Sequence, residues 1–196
     1  QIWLEQLTKN GVNEFLINTH HLSSKINDFV RKSKYREKIT VMYEANLLGT
    51  AGTLLSNSNF FNQEDGLLIH ADNYCSADLY KFMNFHFSRP RNCEITMMTF
   101  RTNEASKCGI VVTDSDNIVR EFYEKKNNPP GNLANGAIYI LSNKALQEIK
   151  NKYYNAKDFS LEIIPEFLNR IYSYEINELL IDIGTIENYK KVNEIN

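Results

Sequence analysis

The chain has 196 residues, of which 42% are hydrophobic and 23% charged, with a net charge of -2. That is enough for one domain with a substantial core, too little positive charge for a nucleic-acid groove, and without the run of roughly 18 apolar residues that a membrane helix needs. Neither nucleic acid nor a membrane is therefore an expected partner, and the three cysteines, Cys75, Cys93 and Cys108, scattered and odd in number, read as free thiols of a reducing, cytoplasmic compartment.

The first element is a helix, "QIWLEQLTKNG", with Trp3 and Leu7 on one face and Gly11 as its C-cap. The chain opens without Met and inside this helical pattern, so residues are expected to precede Gln1. "VNEFLINT" reads as a strand. "SSKINDFVRKS" reads as a helix with a serine cap and apolar Ile26, Phe29 and Val30. "KITVMYE" is a β-branched strand, and "GTAGTLLSN" turns at a glycine into a short helix. "GLLIHAD" is a near-continuous apolar run, the pattern of a strand buried on both faces. "SADLYKFMNFHF" follows as a helix with Leu79, Phe82, Met83 and Phe85 on its apolar face. Alternating helix and strand imply βαβ units and a mostly parallel sheet.

The second half is richer in strands. "CEITMMTF", "GIVVTD", "IVREFYEK" and "NGAIYIL" lie close together, with "DSDN" as a tight turn. "NKALQEIKNK" and "SLEIIPEFLNR" read as helices, Pro165 at a first turn or a break. "YSYEI" and "LLIDIG" are short strands, and "TIENYKKVNEI" is a last helix capped by Thr185. With no repeat or linker, the expectation is a single α/β domain over residues 1–196.

In open α/β sheets ligands sit beyond the carboxyl ends of the strands. Asp72 follows "LLIHA", Asp182 follows "ELLI", and Glu124 follows "IVREFY". Two carboxylates so placed suit Mg²⁺, which takes one or two of them and fills its other positions with water and phosphate oxygens. An Asp after a strand is more often a turn or cap residue, and Glu124 beside Lys125 and Lys126 is by default a surface charge. In "LLGTAGTL", Gly49 and Gly52 flank Thr50 at a helix start and let a flat ligand or a phosphate approach backbone N–H groups. A tight strand-to-helix turn explains the same glycines equally well. No Walker loop is present, since no Gly-Lys-Ser/Thr follows.

"YEANLLGTAGTL", "HADNYCSADL", "CGIVVTD", "EFYEKKNNPPGNLANGAIYIL" and "LLIDIGTIENY" stand in the order in which similar segments occur in the sugar-1-phosphate nucleotidylyltransferases. Over residues 43–189 the chain resembles that family, most of all its mannose-1-phosphate and heptose-1-phosphate guanylyltransferase-like members of bacterial surface-polysaccharide loci. The resemblance implies a Rossmann-like three-layer α/β/α fold with a mostly parallel mixed central sheet. It implies transfer of a nucleotidyl group from an NTP to a sugar 1-phosphate, with pyrophosphate released, for surface-polysaccharide precursors. It makes Asp72, Asp182 and Lys125 catalytic, with Asp72 and Asp182 holding Mg²⁺. Glu44, Gly49, Thr50 and Gly52 become nucleotide-binding, and Gly109, Glu124 and Asn135 sugar-binding. A homodimer is compatible with it. The family's Gly before the metal Asp is Ala71 here, and its "EKP" is "EKK".

Glu44 also has a reading from its chemistry. A carboxylate only accepts hydrogen bonds, and guanine alone offers it two adjacent donors, so GTP is favoured; the alternative is an exposed strand-end charge. The family's Gly-rich phosphate loop and the strand before it do not occur in this sequence, so the 196-residue chain by itself is expected to be inactive. Two other readings remain. A metal-dependent glycosyltransferase would need an Asp-x-Asp motif, of which "ADNYC" supplies one Asp. A nucleotide-sugar-binding regulatory or inactive homologue would have no need of the metal carboxylates.

Overall fold

The computed structural model describes residues 1–195. The elements in order are α1 (Ile2–Lys9), β1 (Phe15–Thr19), α2 (Ser23–Lys32), β2 (Ile39–Tyr43), α3 (Gly49–Ser56), β3 (Gly66–Ile69), β4 (Asn73–Cys75), α4 (Leu79–Phe87), β5 (Ile95–Arg101), β6 (Gly109–Thr113), β7 (Val119–Glu124), β8 (Leu133–Leu141), α5 (Asn143–Lys152), β9 (Ile171–Ile176), β10 (Leu180–Asp182) and α6 (Ile186–Ile195).

The central sheet carries β7-β6-β8-β5-β9, with β3 also on β8. β3, β5 and β6 each run antiparallel to β8, and β9 runs parallel to β5. Four of these strands therefore share one direction. The expected mostly parallel sheet holds in that sense, but not in its hydrogen bonding: β8 is inserted between the co-directional strands, so most ladders are antiparallel. An isolated bridge between Ile118 and Tyr172 ties the start of β7 to β9, so the sheet curls back on itself.

Strand periodicity sorts the core onto two faces. Met97 and Tyr139 face α3, α5 and Phe159, Ile163 and Phe167. Met98, Ile138 and Ile140 face α1 and α4 through Leu4, Leu7, Leu79 and Phe82. The result is the three-layer α/β/α arrangement. Phe82, Phe159 and Phe167 are fully buried, each worth about 2–3 kcal/mol in burial, so these side chains fix where their segments lie.

Three expectations change. Leu22, in the left-handed region at φ 53°, is the N-cap residue of α2 and makes no side-chain cap, so neither serine serves as one. "SLEIIPEFLNR" is not one helix but a π-helical turn, Phe159–Ile163, followed by a 3₁₀ turn, Ile164–Phe167, with Pro165 in its first turn. Pro165 has no N–H and crowds the carbonyl of the preceding turn, which an α-helix cannot accommodate. β3 is only half-buried along Leu67, Leu68 and Ile69, because one of its edges has no partner strand among the described residues.

That edge opens on a slot. β1 and β2 pair in parallel as a separate ribbon. Between β1 and β3 lies a cavity of about 520 Å³, walled by Phe15 and Leu16 of β1, Leu67 and Ile69 of β3, Leu7 of α1 and Leu54 of α3. Two strand edges face it from the sides, and helices close it from above and below.

Candidate active site

Asp72 lies in the turn that joins β3 to β4, closed by the Asn73 N–H on the His70 carbonyl (3.1 Å). β4 pairs antiparallel with β10 in a register that sets Asp182 opposite Asn73. The Ile183 N–H donates to the Asp72 carbonyl at 2.8 Å. The two predicted metal carboxylates thus sit side by side at one tip, although 110 positions separate them in sequence. Both are exposed. One Asp182 oxygen, Oδ1, accepts the Gly184 N–H at 2.7 Å, which aims the side chain. Among the described residues no lysine or arginine pairs with either carboxylate. Nor, among the described residues, do three or more His, Cys, Asp or Glu side chains gather so that they could hold a metal ion by themselves. The donor set therefore suits a hard cation that draws its remaining ligands from water and phosphate, and does not suit a closed zinc cage.

The predicted sugar-binding residues also come together. Gly109 pairs with Glu124 across β6 and β7, and Ile110 pairs with Ala134, next to Asn135. A Cβ on Gly109 would lie 2.6 Å from Glu124 Oε2 and 2.7 Å from the Phe122 ring. The glycine thus makes room for the glutamate itself. Burial raises the Glu124 carboxyl above its ordinary value, while Lys125 opposes that rise. Lys125 takes φ 48° and sets its Nζ 3.9 Å from Glu124 Oε1. Asn135 donates from Nδ2 to the Tyr139 hydroxyl at 2.6 Å and accepts the Ala137 N–H at 3.0 Å. It sits at a bulge of β8, where Ala137 takes φ 52°. Asn73 reaches the same bulge, donating to the Gly136 carbonyl at 3.0 Å. The carboxylate tip is thereby tied to β8, the strand that bears Asn135.

The third group is arranged differently from the sequence expectation. Glu44 is neither an exposed charge nor open to a base: it is 6% exposed. Its Oε1 accepts the Thr53 hydroxyl at 2.6 Å, and Oε2 accepts the Leu48 N–H at 3.3 Å. The glycines around Thr50 do permit a close approach, but what approaches is the chain itself. The Lys157 carbonyl accepts the Ala51 N–H at 2.9 Å and the Gly52 N–H at 3.5 Å. A Cβ on Gly49, at φ 79°, would stand 2.4 Å from that oxygen. The Ala51 and Gly52 N–H groups at the start of α3 are thus engaged from within the chain. Thr50 Oγ1 accepts the Phe159 N–H at 2.8 Å.

Several site residues escaped the sequence reading. Trp3 donates from Nε1 to the Asn73 carbonyl at 2.7 Å and steadies the carboxylate turn. Asn73 is buried; its polarity directly after a strand-end Asp was the available signal. Tyr139 is buried in an apolar run, and nothing in that run marks its hydroxyl.

A family model described as "Nucleotidyl transferase" matches residues 1–195. A glucose-1-phosphate adenylyltransferase of Lachnospira eligens is 35% identical over 153 residues, which is 74% of this chain and 36% of that protein. A putative mannose-1-phosphate guanyltransferase of Sulfolobus acidocaldarius is 25% identical over 194 residues, 97% of this chain and 52% of that protein. The chain thus spans about a third to a half of the length of the curated relatives it matches. In fold it is similar to HddC from Yersinia pseudotuberculosis, solved in complex with GMP-PN, at a TM-score of 0.80 and 23% identity, covering 98% of this chain and 82% of that one. With a family match over nearly its whole length, and relatives named as sugar-1-phosphate nucleotidyltransferases, the chain belongs to the nucleotidyl transferase family.

Proposed function

We propose that the complete protein transfers a nucleotidyl group from a nucleoside triphosphate to a sugar 1-phosphate. The observation that carries this is the Asp72–Asp182 pair, which no lysine or arginine among the described residues neutralises and which is joined through Asn73 to the strand that bears Asn135. A phosphate oxygen of the sugar attacks the α-phosphorus in line, the bond to the β-phosphate oxygen breaks, and pyrophosphate leaves with the electron pair. Asp72 and Asp182 are the residues that would hold Mg²⁺. When bound, the ion neutralises charge that builds on the phosphates. The Lys125 ammonium offsets the sugar phosphate. Ionised Glu124 accepts from sugar hydroxyls. Asn135 has one amide hydrogen committed to Tyr139 and a second free for the substrate. The product, an activated sugar, suits a glycosyl donor for surface polysaccharide.

The slot between β1 and β3 supports the expectation of a preceding strand. Its volume of about 520 Å³ and its two open edges fit one short extended segment. α1 leads from the tip, where Trp3 holds Asn73, down to the start of β1. A strand ahead of Gln1 would rise through the slot beside β1 and β3 and deliver its following loop to Asp72. Gly49, Thr50 and Gly52 act on the nucleotide by setting the course of the loop before α3. GTP remains the preferred donor on condition that the segment around Leu48 moves aside and both the Leu48 N–H and the Thr53 hydroxyl leave Glu44, so that its carboxylate meets the guanine donor edge.

The test is pyrophosphate release by the complete gene product with Mg²⁺, each NTP and a panel of sugar 1-phosphates. Release with GTP and a manno-configured sugar supports the whole reading. Release with another NTP keeps the reaction and discards the role of Glu44. No release with any pair overturns the proposal.

A further inference from the structure

Residues 156–162 form a strap between the two substrate sides of the molecule. On one side its Lys157 carbonyl caps α3, and its Phe159 N–H is held by Thr50. On the other, the Phe159 ring lies 4.8 Å from the ring of Tyr139. The Tyr139 hydroxyl accepts from Asn135 at 2.6 Å. Phe159 and Tyr139 are both about 1% exposed, so neither shifts without repacking its neighbours.

The strap is shaped by its own carboxylates. Asp158 caps the π-helical turn by accepting the Leu161 N–H at 2.8 Å. Glu162 reaches back, and its Oε1 accepts both the Lys157 N–H at 2.9 Å and the Asp158 N–H at 2.8 Å. This reciprocal arrangement resembles a capping box, and it fixes the peptide whose carbonyl meets α3. π-helical turns recur at functional sites. Here the turn gives the Phe159 ring to the sugar side while the Lys157 carbonyl faces the nucleotide side.

We propose that this strap couples the two substrates, with Glu162 and Tyr139 as positioning residues, so that occupation of the sugar side tightens the nucleotide side and the reverse. The coupling rests on the proposed transferase reading. Linkage makes it reciprocal: the factor by which nucleotide tightens sugar phosphate equals the factor in the other direction.

The experiment is calorimetry on the complete protein with Mg²⁺. Mannose 1-phosphate and glucose 1-phosphate are each titrated with and without a saturating non-hydrolysable GTP or ATP analogue. Wild type is expected to bind the sugar phosphate at least about 5-fold tighter once nucleotide is present. Glu162→Ala and Tyr139→Phe should bring that factor close to one. Glu162→Gln, whose amide oxygen can still accept both N–H groups, should retain it. Hydrogen exchange supplies a second readout: sugar phosphate alone should slow exchange at the Ala51 and Phe159 amides, on the nucleotide side of the strap. An unchanged factor in Glu162→Ala and Tyr139→Phe, or no factor in wild type, overturns the coupling while leaving the transferase reading intact. Absence of binding by either ligand overturns both.

Discussion

Where β3, β5 and β9 begin, carboxylates are clamped. Glu94 is 4% exposed and held by both Arg170 and Lys144. Glu148 of α5 is held by Arg170 and Lys152. Asp65 binds the buried His86 and the Asn143 N–H. Where β3 ends, Asp72 and Asp182 stand exposed, with no such partner among the described residues, and the backbone carries strain beside Glu124 and Asn135, at Lys125 (φ 48°) and Ala137 (φ 52°). The same sheet is closed by ion pairs at one end and left unfinished at the other. A charge with a fixed partner contributes to stability; a charge without one can take a ligand, and the difference separates scaffold from site.

The largest expected effects come from exchanging these roles. Asp72→Asn or Asp182→Asn in the complete protein should lower kcat/KM for pyrophosphate release by about 100- to 1,000-fold. The melting temperature should move by no more than about 2 °C, because no ion pair of the protein is lost. Arg170→Met should do the opposite. It leaves the buried Glu94 with Lys144 alone and should cost about 3 kcal/mol in urea unfolding, with turnover per folded molecule unchanged.

Acid titration sharpens the contrast. Burial holds His86 neutral, with its pKa lowered to about 4, so the unfolded chain binds its proton first and stability falls as pH drops from about 6.5 towards 4. Hydrogen bonds from Arg170 and Lys152 lower Glu148 to about 2, which extends the loss from about 4.5 down to 2. Glu148→Gln should flatten that lower limb in pH-dependent unfolding. Glu124 runs the other way. Its raised pKa means that the native state keeps the proton longer, so between the ordinary and the raised values stability falls as pH rises. Turnover that needs the ionised form should therefore fade at a higher pH than an ordinary carboxylate would impose, and Glu124→Gln should remove that limb from the pH profile.

The smallest effect concerns strain. Ala137→Gly relieves a left-handed alanine worth about 1–2 kcal/mol against an entropic cost of about 0.5–1 kcal/mol. A net gain of about 0.5 kcal/mol is expected, read as a small rise in the denaturant midpoint.

Much was legible in the sequence because it is written in local pattern. Period-3.6 and period-2 hydrophobicity placed the helices and strands, Gly11 past the end of α1 and Thr185 at the cap of α6 included. The strand-end position of Asp72 and Asp182 followed from the same rule, since an apolar run that stops on a carboxylate has nowhere to bury it. Tertiary structure alone decided what depends on residues far apart in sequence. Only the β4–β10 register shows that Asp72 and Asp182 adjoin. Only the insertion of β8 shows why co-directional strands pair through an antiparallel one. The surroundings of Glu44 and of the Gly49 turn were not legible, because their partners, Thr53 and the Lys157 carbonyl, are ordinary groups that no motif marks. A side chain's chemistry is set by its covalent structure and can be read from one letter. Whether that chemistry faces a ligand or the chain is set by what packs against it.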